Sequence, residues 1–126
     1  MTQNKAQKQD FDLEERTARF GEAVIRFVRK IPKDTVNVTL ISQLIRAATS
    51  IGANYCEADD GVSRKDFRNK IGLCRKEARE CKHRLRMIAT ANENMTDEAR
   101  ELWKEAKELN LIFSQIFRSS GENLEK

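Results

Sequence analysis

Apolar residues return at alternating steps of four and three along four separate segments of this 126-residue chain. That spacing limits the fold most, because a step averaging about 3.5 residues keeps one narrow stripe of an α-helix turned towards a partner. The first stripe is Leu13, Thr17, Phe20, Val24, Phe27 and Ile31. Pro32 stops it, having no backbone N–H to donate and a ring that cannot follow a helical turn, and Asp10 or Asp12 can cap its start. A helix over 12–31 is predicted. The second stripe, Ile41, Leu44, Ala48, Ile51, Tyr55 and Ala58, is entered through Thr35 or Asn37 and left through the turn Asp59-Asp60-Gly61. The third opens at Ser63 with Asp66 three residues on, a capping-box pattern, and continues through Phe67, Ile71, Cys74, Ala78, Cys81, Leu85 and Ile88. The fourth opens at Thr96, followed by Asp97 and Glu98, whose charges suit a helix N-terminus. Its stripe is Ala99, Leu102, Ala106, Leu109, Phe113 and Ile116, with an end expected near Arg118.

Short connections favour antiparallel neighbours and seams of this period favour shallow crossings, so the expected fold is all-α, an up-down-up-down antiparallel four-helix bundle. The bundle should span residues 10–118, with polar, unpatterned segments 1–9 and 119–126 as disordered tails. Composition agrees: 35% charged and 6% aromatic residues, with one Pro and five Gly, suit long solvated helices and argue against a β-sandwich. The first ten residues hold no apolar run, and no apolar stretch of about eighteen residues occurs. A cytoplasmic protein without a membrane segment is expected. Three cysteines, an odd number, read as reduced packing thiols rather than a disulfide framework.

Charge is distributed unevenly over these helices. From Val36 to Cys56 the second helix carries a single charged residue, Arg46, in a chain where one residue in three is charged. Opposite its core stripe, Gln43, Arg46, Ser50, Asn54 and Glu57 fall on one side. They form either the polar outer stripe of an ordinary bundle or a subunit interface. The third helix is the reverse, with six Arg and four Lys against three acids between residues 64 and 86. Arg64, Arg68, Arg75, Arg79, Lys82 and Arg86 lie within about 60° of one another on a helical wheel, and Asp66, Glu77 and Glu80 lie on the other flank. A guanidinium stripe over several turns can meet successive phosphates, which makes nucleic acid a natural partner. Two other readings stay open. The flank can be solvated and paired with acids of the first and fourth helices, such as Glu14, Glu15, Glu101, Glu105 or Glu108, or it can meet an acidic flank of a second subunit.

Catalytic and metal chemistry find little to use. Glu80 and His83 have the Glu-x-x-His spacing of di-metal bundles, but such a site needs two of these pairs and the chain has one His. Cys74 and Cys81 stand about 10 Å apart along a helix axis, too far to share one zinc ion. No cofactor or metal is expected. Tyr55 and Trp103 could stack on bases, yet their places on and beside apolar seams favour burial in the core or an interface, so no aromatic platform is predicted.

The segments Arg46-Ala47-Ala48-Thr49-Ser50-Ile51-Gly52-Ala53-Asn54-Tyr55-Cys56-Glu57, Ser63-Arg64-Lys65-Asp66-Phe67 and Lys76-Glu77-Ala78-Arg79-Glu80 carry a resemblance. They are similar to the bacterial four-helix-bundle family whose founding members are encoded in intervening sequences of 23S ribosomal RNA genes, over about residues 11–118. The resemblance implies a cytoplasmic homopentamer. A relative in fold, the accessory variability determinant of diversity-generating retroelements, is a pentamer that binds nucleic acid and a reverse transcriptase. The expected function is therefore non-enzymatic: an oligomeric protein that binds RNA or joins a ribonucleoprotein through the basic flank. The alternative is a protein-interaction scaffold whose basic flank is used between subunits.

Overall fold

The computed structural model describes the backbone of residues 5–61 and 63–125, with side chains described for 13–61 and 63–121. Four helices account for nearly all of it: α1 (Lys5–Val28), α2 (Thr35–Asp59), α3 (Arg64–Ala91) and α4 (Thr96–Glu125), with a single 3₁₀ turn at Glu93–Met95. No strand is present among the described residues. α1 ends at Val28, three residues short of the predicted Ile31, because the chain must leave the helix before Pro32 removes a donor and crowds the preceding turn. At the far end, α4 continues past Arg118 to Glu125. Residues 5–9 and 119–125, expected as disordered tails, instead extend α1 and α4, and residues 1–4 and 126 lie outside the described residues.

The caps show which local signals carry weight. The side chain of Ser63 accepts a hydrogen bond from the Asp66 N–H at 3.1 Å, as the capping-box pattern predicts. α2 is capped by Asp34 rather than Thr35 or Asn37: the Asp34 carboxylate accepts from the Asn37 N–H at 2.8 Å. At the start of α4 the Thr96 hydroxyl donates backwards to the carbonyl of Glu93 at 2.8 Å, because the 3₁₀ turn runs straight into the helix and leaves no extended cap residue there.

Each helix packs on its two neighbours in the cyclic order α1, α2, α3, α4, with no close backbone approach across either diagonal among the described residues. Paired positions run in opposite directions, with Thr17 beside Gly52 and Gly21 beside Ala48, then Arg68 and Gly72 beside Phe117 and Lys82 beside Trp103. This is the expected antiparallel bundle. The predicted stripes fill the core: Phe27, Leu44, Ile51, Ile71, Leu85, Ile88, Leu109 and Phe113 are fully buried. Tyr55 is also buried, its ring 5.9 Å from that of Phe113 and tilted by 52°. α1 approaches α2 closely, since a Cβ on Gly52 would lie 3.3 Å from the Thr17 hydroxyl oxygen. Thr17 itself is buried on the seam and satisfies its hydroxyl by donating to the Leu13 carbonyl at 2.7 Å.

One end of the bundle is locked by a buried polar pair. Asn37 and Asn92, 2% and 7% exposed, exchange amide hydrogen bonds of 3.0 and 2.8 Å. Their amides also donate to the carbonyls of Pro32 and Ile88, tying the α1–α2 connection to the α3–α4 connection. No described helix is long and apolar enough to cross a membrane.

Candidate nucleic-acid interface

Burial of the Ile71–Ile88 stripe fixes the rotation of α3, and that rotation turns one of its flanks towards α2 and the other towards α4. The two flanks then have different electrostatics. Towards α2 the charges are paired. Arg46 reaches Glu80 at 2.7 Å and Glu77 at 3.5 Å, Arg84 reaches Glu80 at 3.4 Å and donates to Gln43 at 3.0 Å, and Lys70 meets Glu57 at 3.4 Å.

The stripe Gln43, Arg46, Ser50, Asn54 and Glu57 borders α3, with Arg46 and Glu57 still exposed to solvent. Gln43, Arg46 and Glu57 engage α3 side chains, Asn54 donates to the Ser50 carbonyl and Ser50 to the Arg46 carbonyl. A wheel drawn on α2 alone cannot give this placement, because the position of α3 beside it is set by the whole bundle.

The carboxylates here differ in protonation tendency. Burial pushes Glu77 above the usual carboxylate range, and its hydrogen bond with Glu80 pushes the same way, against the pull of Arg46. Burial works against ionising Glu80 as well, but hydrogen bonds from Glu77, Arg46 and Arg84 and the Arg46 charge outweigh it and hold Glu80 below its ordinary value. Glu77 Oε1 and Arg84 Nε are buried without a hydrogen-bond partner, the unsatisfied remainder of this crowded network.

Towards α4 the picture is the opposite. Arg64, Arg68, Arg75, Arg79, Lys82 and Arg86 share this flank, and none has a described carboxylate within ion-pair reach. Among the described residues, the alternative pairing with acids of α1 and α4 does not occur. Glu105 holds Arg16 at 2.7 Å, Glu15 holds Arg19, Glu101 holds Lys104, and Lys30 pairs with Glu98. Geometry explains this: α1 stands diagonally across from α3, and the acids of α4 turn to its α1 side or to solvent.

Aromatic rings take the place of acids along the α3–α4 seam. The guanidinium carbons of Arg68 and Arg75 lie 3.7 and 4.1 Å from the centre of the Phe117 ring, which sits over Gly72 between them. A Cβ at Gly72 would come within 3.0 Å of that ring, so the glycine makes room for the stack. Arg68 also donates from Nε to the Phe117 carbonyl at 3.3 Å, and the Arg75 carbonyl accepts from Asn110 at 2.9 Å. Arg68 also packs against Gly121, and both guanidinium groups stay partly exposed. Arg64, Arg79 and Arg86 are exposed.

Trp103, expected in the core or an interface, is half-buried within the chain. It packs only partly against the core and lines two clefts between α3 and α4. Lys82 and Lys107 bring their ammonium groups to 5.9 and 5.7 Å from its ring centre. The sequence signal for it was available: Trp103 stands one position off the α4 seam with Lys107 one turn on. Phe117 stands likewise one turn beyond Phe113 and beside Ile116, yet neither ring can be matched to α3 cations until the pairing of α3 with α4 is known.

The cysteines divide. Cys74 and Cys81 are buried, and burial pushes both thiols up to about 12. Cys74 donates its weak hydrogen bond to the Ile51 carbonyl at 3.5 Å. Cys56 is exposed at the α1–α2 groove and is not a packing thiol, since it lies on the side of α2 away from the core stripe. His83 is exposed and lines the first cleft beside Trp103.

Comparison with characterised proteins gives no match. Among solved structures, the chain is similar to a crystal structure of a protein with unknown function from the S23 ribosomal protein family of Bacteroides thetaiotaomicron. The TM-score is 0.78 at 24% identity, covering 86% of this chain and 97% of that one, a likeness of fold. The family model described as 23S rRNA-intervening sequence protein matches residues 9–119, spanning all four helices. By that match the chain belongs to the 23S rRNA-intervening sequence protein family.

Proposed function

We propose that this protein is a non-enzymatic, cytoplasmic RNA-binding bundle that works as a homo-oligomer, a pentamer by the family resemblance, and that its α3–α4 face meets RNA phosphates. One observation carries the reading: α3 pairs its cations on the α2 flank and leaves six cations on the α4 flank without a described carboxylate. A folded chain that neutralises one flank and holds the other charged presents a ready anion surface, and successive arginines along a helix match successive phosphates.

The test is salt-dependent RNA binding with Arg79→Ala and Arg86→Ala combined, since both residues are exposed and neither is tied to Phe117. Affinity should fall steeply with salt, and the double variant should lower the slope of log K against log salt by about two. A protein that binds no RNA at low salt overturns the proposal.

A second reading, in which the flank is used between subunits, draws on the α1–α2 groove. That groove has an acidic rim of Glu14, Glu15 and Glu22 above a floor of Gly21, Gly52 and Ala53. There the basic flank of a second copy would find opposite charge. In that case the same double variant lowers the molar mass seen by light scattering, and RNA binding is absent in the parent protein as well.

A further inference from the structure

The two clefts at Trp103 have volumes of about 450 and 320 Å³, and Trp103 and Arg86 line both. The indole therefore stands between them as a partly exposed ring in the α3–α4 seam. Around it, Arg79, Lys82, Arg86 and Lys107 have no described carboxylate partner. Glu80 is the one acid lining the first cleft, and it is already held by Arg46 and Arg84. The second cleft is lined by Leu85, Ala89 and Ala99 with cations at its edge and no acid. An apolar, aromatic floor within a cationic rim suits a flat, apolar-faced group that carries anions on either side.

We infer that Trp103 is a stacking platform for an unpaired base, so that the RNA recognised by the α3–α4 face is single-stranded. This rests on the proposed RNA-binding function and names its substrate class. A base has a π-face that stacks on an aromatic ring whatever its identity, and its flanking phosphates need cations within a few ångströms of the ring edge. The ammonium groups of Lys82 and Lys107, on flexible four-carbon stems, can swing from the ring to those phosphates as the base arrives. A duplex keeps its bases stacked inside and offers the ring no face, so it would engage only the cations.

The single tryptophan makes the test direct. A 12-nucleotide RNA without secondary structure should quench the Trp103 emission on binding, and the same sequence as a blunt duplex, or inorganic polyphosphate of matched charge, should quench it little. Trp103→Leu should weaken binding of the single strand by roughly 5- to 100-fold while keeping the salt slope, because stacking adds affinity without neutralising a phosphate. Trp103→Phe should recover most of the loss. The inference is overturned if the single strand binds with a steep salt slope yet leaves the emission unchanged, or if duplex and polyphosphate quench as strongly, results that leave the phosphate reading standing. Absence of any RNA binding overturns both.

Discussion

Asn92→Ala removes three side-chain hydrogen bonds at the closed end of the bundle: the pair exchanged with Asn37 and the one donated to the Ile88 carbonyl. The backbone N–H of residue 92 keeps its 2.9 Å bond to the Ile88 carbonyl, so the end of α3 is retained. What the variant leaves is the Asn37 amide oxygen, buried without its donor. A buried polar group stripped of its partner costs about 1–3 kcal/mol, and the bonds lost beside it add about 1 kcal/mol, so a total on the order of 2–4 kcal/mol is expected. For a domain of this size that lowers Tm by on the order of 10 °C. Urea unfolding followed by circular dichroism measures it, with exposed Asn94→Ala as the control that should change nothing measurable. The pairing makes a sharper demand. Asn37→Ala combined with Asn92→Ala removes both amides at once and leaves neither stranded, so the double variant should cost less than the two single variants added together by at least about 0.5–1 kcal/mol. Additive costs, or an Asn92→Ala protein within about 0.5 kcal/mol of the parent, would refute the claim that this pair holds the two connections together.

Glu77 supplies a pH prediction. Its folded value is raised, so its contribution to stability is present below the ordinary glutamate range and is lost as pH rises through the folded value, whereas Glu80, held low, contributes above that range and loses its effect as pH falls. Glu77→Gln should therefore raise Tm by a few degrees at pH 7, with the gain shrinking towards pH 4, and thermal melts in which the variant is the less stable at pH 7 would contradict it. The thiols should separate in a labelling experiment: one equivalent per native chain at Cys56, with Cys74 and Cys81 reacting only on unfolding, because thiols pushed up to about 12 and enclosed in the core have almost no thiolate and no access. Three fast equivalents in the native protein would show the core to be open. Cys81→Ala should cost roughly 1–3 kcal/mol in urea unfolding as a small core truncation, and an unchanged midpoint would remove Cys81 from the core.

The four apolar stripes were legible because helix periodicity is a local property: each stripe depends only on residues three and four apart in one chain segment. The Ser63–Asp66 cap was legible for the same reason, as was the stop before Pro32. Local signals failed where two patterns compete for a few residues. Asp34, Thr35 and Asn37 can all cap a helix, and the choice of Asp34 follows from Asn37 being buried against Asn92, which draws its side chain away from the cap. At Thr96 the 3₁₀ turn replaces the extended residue a cap requires.

The segregation of charge along α3 was likewise written in the sequence, since angles on a wheel need no tertiary knowledge. Which neighbour each flank would meet was not. That depends on the cyclic order of the helices, and the packed bundle alone set the acidic flank against Arg46 of α2 and the basic flank against Phe117 and Trp103 of α4. Residues 49 and 21 positions apart in the chain, Arg68 with Phe117 and Lys82 with Trp103, come within reach only when two helices lie antiparallel in one register. The sequence by itself determined four helices, their buried stripes and the sidedness of α3, because these arise within single turns. Tertiary structure decided which cations meet carboxylates and which meet aromatic rings among the described residues, because a side chain's partner is chosen by whichever helix the shared burial of apolar stripes places beside it.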